Sequence, residues 1–135
     1  VHGRTNAILL PYVIRYNGTR PSKTTTWPKY NYWKADEKFQ DIAKMLGLPH
    51  STPEEAVEAY AKAVYDLGVA VGIKMNFKDQ GIDEKAWKDS LHEIALLAYE
   101  DQCSPANPRL PMVADMEEIM ADAYYGYAER PGRRK

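Results

Sequence analysis

The chain has 135 residues, of which 44% are hydrophobic and 27% charged, with a formal net charge of −1, so its length and composition suit one globular domain or part of a larger one. Because the charges nearly balance, nothing favours nucleic acid or an acidic membrane surface as a partner. A single cysteine excludes an internal disulfide and a CxxC zinc site, and no apolar stretch reaches the roughly 20 residues of a membrane span, so we expect a cytoplasmic protein.

The first segment, about residues 6–16, is apolar on nearly all sides. Its length and the stop signal Asn17–Gly18 favour a helix over the alternative, a short buried strand. A helix that is apolar all round belongs inside a larger body. Together with the missing initiator Met, this leads us to expect a fragment. The apolar residues are Ala7, Ile8, Leu9, Leu10, Val13 and Ile14.

Residues 19–33 contain two prolines and four aromatic residues without any periodicity, which predicts a long connecting loop. After this loop a helical period begins and runs to Gly47. The sequence around Pro53 is a strong helix start, because Ser51 or Thr52 can cap the first turn. The apolar stripes of these two predicted helices consist of Phe39, Ile42, Ala43 and Leu46, and of Val57, Tyr60, Val64, Leu67 and Val71.

Two more helices follow, one capped by Asp83 and one closed by Gly126. The basic tail, residues 127–135, is expected to fray. No strand-like alternation competes anywhere, so the prediction is an all-α fold of about five helices. The last two stripes consist of Trp87, Leu91, Ile94, Ala95 and Ala98, and of Val113, Met116, Ile119, Met120 and Ala123.

The side chains that could carry chemistry are few. His92 opens a sequence like the metalloprotease helix motif, but Leu96 stands where the second His is needed. His50 lies in a turn. Nothing near Cys103 in sequence lowers its pKa, and there is no glycine-rich phosphate loop. From these residues alone, we can assign no catalytic group, no cofactor-binding group and no function.

Two stretches, in this order, resemble one known family. "HGRTNAILLPYVIRYN", residues 2–17, is similar to the His-Gly-x-x-Asn-Ala-x-Leu-Leu-Pro segment of iron-containing alcohol dehydrogenases. "DQCSPANPRLP", residues 101–111, is similar to that family's Asp-x-Cys-x-x-x-Asn-Pro-Arg segment. "YNYWKADEKFQDIAKMLGLP" and "DAYYGY" resemble in particular the alcohol dehydrogenase half of bifunctional acetaldehyde-CoA/alcohol dehydrogenases. The resemblance covers essentially the whole chain.

The resemblance implies a fold and a set of site residues. The fold would be the helical C-terminal domain of the dehydroquinate synthase-like architecture, spanning residues 1–135. The family holds a divalent metal, usually Fe²⁺, with one Asp and three His, and His2 matches the last of these ligands. The other ligands and the NAD-binding domain would lie upstream. Cys103 and Asn107 match the wall of the substrate pocket, and Arg109 lies in the same loop without an assigned role.

The implied activity is the interconversion of acetaldehyde and ethanol, with iron polarising the carbonyl and NADH delivering hydride. The partners would be the upstream part of the same polypeptide, a small aldehyde or alcohol, and further copies in a homo-oligomer. The fragment alone is expected to bind no cofactor stably and to be inactive. The alternative is a stand-alone helical interaction or oligomerisation module, whose apolar first helix would expose surface for association.

Overall fold

The structure, a computed structural model, describes residues 2–21 and 33–126. Within these ranges the secondary structure is helical and contains no strand, which confirms the predicted all-α class with five α-helices. A short 3₁₀ turn, Ser104–Ala106, lies between the last two helices. The helices are α1 (His2–Gly18), α2 (Ala35–Met45), α3 (Pro53–Ala70), α4 (Glu84–Glu100) and α5 (Val113–Tyr125).

The helix ends follow from local side-chain chemistry. The Thr52 hydroxyl accepts a hydrogen bond from the Glu55 N–H at 3.2 Å, and the Asp83 carboxylate accepts one from the Ala86 N–H at 2.9 Å. Thr52, and not Ser51, is therefore the cap of α3. Just beyond the C-terminal ends of α2, α3 and α5, glycines adopt the left-handed conformation that helix termination favours. They are Gly47 (φ 68°), Gly72 (φ 82°) and Gly126 (φ 97°).

The larger core forms where α1, α4 and α5 meet the segment between α3 and α4. The Trp87 ring is stacked between Phe77 and Tyr124, with ring centroids 5.0 and 5.4 Å apart. The backbone N–H of Phe77 donates to the Ala123 carbonyl at 3.1 Å, which fixes the connecting segment to the end of α5. The buried members of this core are Ile8, Tyr12, Met75, Phe77, Trp87, Ala123 and Tyr124.

A smaller core lies between α1 and α3, with Ile14, Val57 and Ala61 buried in it. The two helices approach closely at Gly18. A Cβ atom built there would lie 2.5 and 2.6 Å from the two Cγ atoms of Val57. Only a glycine fits at this position without a shift, so the end of α1 is set directly against the first half of α3.

The apolar stripes predicted from helical spacing are partly wrong. Leu46, Leu67 and Val71 are 59 to 66% exposed because they lie at the ends of α2 and α3, beyond their partner helices. Ile94 is also exposed, at 39%. The predicted residues Val57, Tyr60 and Val64 do pack in the smaller core. The fully buried positions of α3 are otherwise small residues that the predicted stripe did not include: Ala56, Ala61 and Gly68.

Most of the predicted loop 19–33 lies outside the described residues, as does the tail 127–135. Within the described ranges, no helix is both long enough and apolar enough to cross a membrane. The apolar residues of α1 are largely covered by α3 and α5, and Ile8 and Ile14 are only 1 and 3% exposed. Leu10 is nevertheless 43% exposed, and Leu9 and Val13 are only partly buried, so α1 keeps part of the apolar surface expected for a stand-alone module.

Candidate functional site

A cleft of about 800 Å³ opens between α1, α4, the 3₁₀ turn and α5. It brings together His2, Cys103 and Asn107, the three residues that the resemblance assigned to a site. Most of the remaining wall is aliphatic or thioether, so the cleft suits a small, weakly polar ligand. That apolar part of the wall consists of Leu9, Val13, Ile94, Leu97, Ala98, Pro111, Met116, Ile119 and Met120.

His2 is the first residue of α1, and its side chain is exposed. The Nε2 atom lies 3.1 Å from the Asn6 side-chain nitrogen, one turn further along the same helix. Since that amide nitrogen can only donate, Nε2 accepts and Nδ1 carries the proton in this arrangement. The position of an exposed imidazole at the cleft suits a metal ligand that shares its metal with groups from another part of a protein.

His2 is at most one member of a metal site. Among residues 2–21 and 33–126, no three His, Cys, Asp or Glu side chains stand close enough together to hold a metal ion. An imidazole is a good ligand for Fe²⁺, but a single protein ligand does not retain the ion against water. Within the described residues, His2 thus offers no more than a single imidazole ligand.

Cys103 precedes the 3₁₀ turn and is exposed. A hydrogen bond to the Asp101 carboxylate, followed by the charge of that carboxylate, raises the pKa of the thiol. Asp101 also accepts a hydrogen bond from the Cys103 N–H at 2.8 Å. The thiol is thus kept protonated at neutral pH, which suits a cleft wall and not a nucleophile.

Asn107 lines the cleft and is also paired with Asn17, the last residue but one of α1. The Asn107 amide donates to the Asn17 side-chain oxygen at 2.7 Å, and the Asn17 amide donates to the Asn107 side-chain oxygen at 3.1 Å. Asn17 is only 7% exposed. Sequence patterns predicted for Asn17 only the role of a helix stop, because two residues 90 positions apart leave no local signal of pairing.

Arg109 acts as a second link between this loop and α1. Its guanidinium lies 4.1 Å from the centroid of the Tyr16 ring and donates to the Tyr16 carbonyl at 3.0 Å. The Tyr16 hydroxyl lies 3.0 Å from the Leu110 carbonyl and 3.1 Å from the Asp115 carboxylate. Burial and the Asp115 charge, opposed by Arg109, raise the pKa of Tyr16 to about 12. These contacts of Arg109 hold the loop against α1.

The two remaining histidines lie away from the cleft. Nδ1 of His92 is 2.6 Å from the Glu117 carboxylate, which links the exposed faces of α4 and α5. His50 donates from Nδ1 to the Leu48 carbonyl at 2.7 Å within the turn before α3. Neither imidazole lines the cleft that contains His2.

Fold and site together define a helical domain with an apolar cleft and an exposed imidazole at its edge. A family model described as "Fe-containing alcohol dehydrogenase family, C-terminal" matches residues 1–124. The chain belongs to this family. The match includes both motif segments, the cleft and every described helix except the last residue of α5.

Three relatives show where the similarity lies. The aldehyde-alcohol dehydrogenase of Streptococcus pneumoniae is 78% identical over 135 residues, which is all of this chain and 15% of the relative. Aldehyde-alcohol dehydrogenase 2 of Entamoeba histolytica is 56% identical over 94% of the chain and 15% of the relative. The bifunctional aldehyde-alcohol dehydrogenase of Escherichia coli is 32% identical over 93% of the chain and 14% of the relative. The chain thus spans about one seventh of their length.

Proposed function

We propose that this chain is the C-terminal helical part of an iron-dependent, NAD-linked alcohol dehydrogenase that interconverts acetaldehyde and ethanol in the cytoplasm. His2 is one of the metal ligands, and the cleft holds the aldehyde or alcohol. The observation that carries this proposal is the convergence of His2, Cys103 and Asn107, which come from two segments some 100 positions apart, on one apolar cleft.

The chemistry of the cleft is suited to this reaction. When bound, iron supplies a Lewis acid that polarises an aldehyde carbonyl. The chain's own part is to hold one ligand at the start of α1 and to surround the alkyl group of the substrate with Leu9, Val13 and Met116. Excluding water from such a wall favours transfer of hydride to the substrate over side reactions. The protonated thiol of Cys103 adds a polarisable surface and no nucleophile.

We further propose that the complete protein is of the bifunctional type, with an aldehyde-forming half and an alcohol-forming half in one polypeptide. The support is the similarity to the aldehyde-alcohol dehydrogenases of S. pneumoniae and E. histolytica and to the bifunctional enzyme of E. coli. A homo-oligomer of that polypeptide remains part of the proposal. The chain alone is expected to be inactive, because one imidazole does not retain the metal.

The test is a pair of histidine variants in the complete polypeptide. In His2→Ala, iron measured by elemental analysis after loading and desalting should fall to near zero. NADH-dependent acetaldehyde reduction should drop by at least about 100-fold, since a metal Lewis acid contributes several kcal/mol. His50→Ala is the matched control, since this imidazole is exposed and lies outside the cleft.

Two results would contradict the proposal. If His2→Ala keeps both its iron and its rate, His2 is not a ligand. If the wild-type polypeptide reduces no aldehyde with NADH, the activity itself is wrong. Loss of metal and rate in His2→Ala, with both retained in His50→Ala, supports the assignment.

A further inference from the structure

The cleft wall that carries Cys103 and Asn107 belongs to a single loop, residues 101–112. On the α4 side this loop is fixed by the Ser104 hydroxyl, which donates to the Ala98 carbonyl at 2.6 Å. The loop contains only one short 3₁₀ turn, so its position depends on such side-chain contacts and not on a helical hydrogen-bond ladder. What holds its other side therefore decides the shape of the cleft.

On the α1 side the loop is held by the contacts of Arg109 and Leu110 with Tyr16 and, next to the cleft wall, by the reciprocal amide pair of Asn17 and Asn107. Each side chain donates to and accepts from the other, so the pair has one geometry in which both groups are satisfied. The Asn107 amide also donates to the Arg109 carbonyl. Asn17 is nearly buried, and it is not among the residues that line the cleft. Its side chain is joined to the cleft wall through Asn107.

We propose that Asn17 is a positioning residue of the substrate cleft: its amide pair with Asn107 sets the position of loop 101–112 and thereby the length of aldehyde that the cleft accepts. This inference rests on the proposed function, because it concerns the same cleft. Because Asn17 is only 7% exposed, separating its amide from Asn107 is costly, so the pair helps to keep the loop at a fixed distance from the apolar wall on α5.

The test is Asn17→Asp in the complete polypeptide, because aspartate has the same size and keeps the acceptor for the Asn107 amide. Aspartate lacks the N–H donor of the asparagine amide and places a carboxylate oxygen opposite the Asn107 side-chain oxygen. Because two acceptors cannot hydrogen-bond to each other, this side of the pair separates. We expect KM for acetaldehyde to rise roughly tenfold while kcat changes less than about threefold. The preference for acetaldehyde over hexanal, measured as the ratio of kcat/KM values, should fall roughly tenfold as the wall loosens.

Three further variants separate positioning from stability. Thr52→Ala removes the cap of α3, away from the cleft, so it should lower Tm and leave the acetaldehyde-to-hexanal ratio unchanged. Asn107→Asp breaks the same pair from the cleft side and should shift the ratio in the same direction as Asn17→Asp. The double variant should shift the ratio no further than the larger single change, since both act on one interaction.

The inference is overturned if Asn17→Asp lowers Tm as Thr52→Ala does and leaves the ratio unchanged, because Asn17 would then serve stability alone. Should Asn17→Asp fail to fold, Asn17→Ser removes the amide with a neutral group and is judged by the same ratio. A wild-type polypeptide without aldehyde reduction would overturn the proposed function, and this inference with it. An active wild type whose ratio does not respond to either Asn17 variant overturns this inference alone.

Discussion

The two ends of α1 differ in almost every physical respect. At the start, residues 2–6 are exposed, and beyond the helix itself Arg4 lies 3.4 Å from the Gln80 side-chain oxygen. At the other end, Asn17 and Gly18 are buried and bonded or packed on several sides. The two ends of α1 therefore have different roles. Its C-terminal end fixes the helix in the protein, and its N-terminal end presents His2 at the cleft.

This division has a simple geometric basis. His2 and Asn17 are 15 positions apart, which corresponds to roughly 22 Å along an α-helix. A rigid helix transmits the position of its anchored end to its free end, while the exposed end stays accessible to groups from elsewhere. Substitutions at the two ends should therefore differ sharply in their effect on stability, and four of them test this comparison.

The largest effect is expected for Asn17→Ala. It removes both bonds of the reciprocal pair and leaves the half-buried Asn107 amide with the Arg109 carbonyl alone, and the cost of this loss exceeds the small gain in helix propensity. The free energy of unfolding, measured by chemical denaturation, should fall by about 2 kcal/mol. If the free energy of unfolding falls by less than about 0.5 kcal/mol, water readily replaces the amide pair. The pair would then contribute little to anchoring this end of α1.

Tyr16→Phe should cost about 1 kcal/mol at neutral pH, because the hydroxyl bond to the Leu110 carbonyl and Asp115 is lost. It should also change the response to alkali. The folded-state pKa of Tyr16 is raised from 10.0 to about 12, so its contribution to stability is fully present below about pH 10. That contribution is lost as the pH rises towards 12, when the phenol ionises in its partly buried position.

The difference between wild type and Tyr16→Phe isolates this residue. Burial also raises the pKa of Tyr124, but Tyr124 is present in both proteins. Denaturation curves between pH 9 and about pH 12 should converge as Tyr16 ionises. Parallel curves over this range would show that Tyr16 titrates alike in the folded and unfolded states.

The helices and their ends could be predicted because their signals are local. Thr52, Asp83 and the glycines after α2, α3 and α5 act within one turn of themselves. The packing of the core was harder to predict from the sequence. Met75 and Phe77 are core residues in a segment without periodicity, so no pattern marked them. Leu67 and Val71 fit the helical period but are exposed, because they lie beyond the helices that pack against α3. A helical period predicts which side of a helix is apolar, but not over what length another helix covers that side.

The candidate site shows the same limit more strongly. His2, Cys103 and Asn107 were selected by resemblance to a family, since no spacing rule links an imidazole at position 2 with a thiol 101 positions later. Asn17 and Tyr16 were missed as anchors, because their partners lie in a distant loop. Pairing across such separations is set by the packing of α1 against α5 and is not encoded in any short window.

Gly18→Ala should lower the free energy of unfolding by about 1 kcal/mol, since the overlap with Val57 outweighs the helix propensity gained. The double variant Gly18→Ala/Val57→Ala tests the cause. Val57→Ala alone removes buried atoms and is destabilising, but it also makes room for the new methyl group. The combined loss should therefore be smaller than the sum of the two single losses. If the two single losses add up exactly in the double variant, the destabilisation by Gly18→Ala does not come from overlap with Val57.

The smallest effect is expected for Asn6→Ala, the counterpart of Asn17→Ala on the same helix. Asn6 is exposed, and its side-chain amide lies 3.1 Å from the His2 imidazole. Its replacement should change the free energy of unfolding of the metal-free protein by less than about 0.5 kcal/mol. A loss as large as that of Asn17→Ala would mean that the start of α1 is also an anchor. The separation of tasks along α1 would then be wrong, because the end that presents His2 would itself contribute to holding the fold.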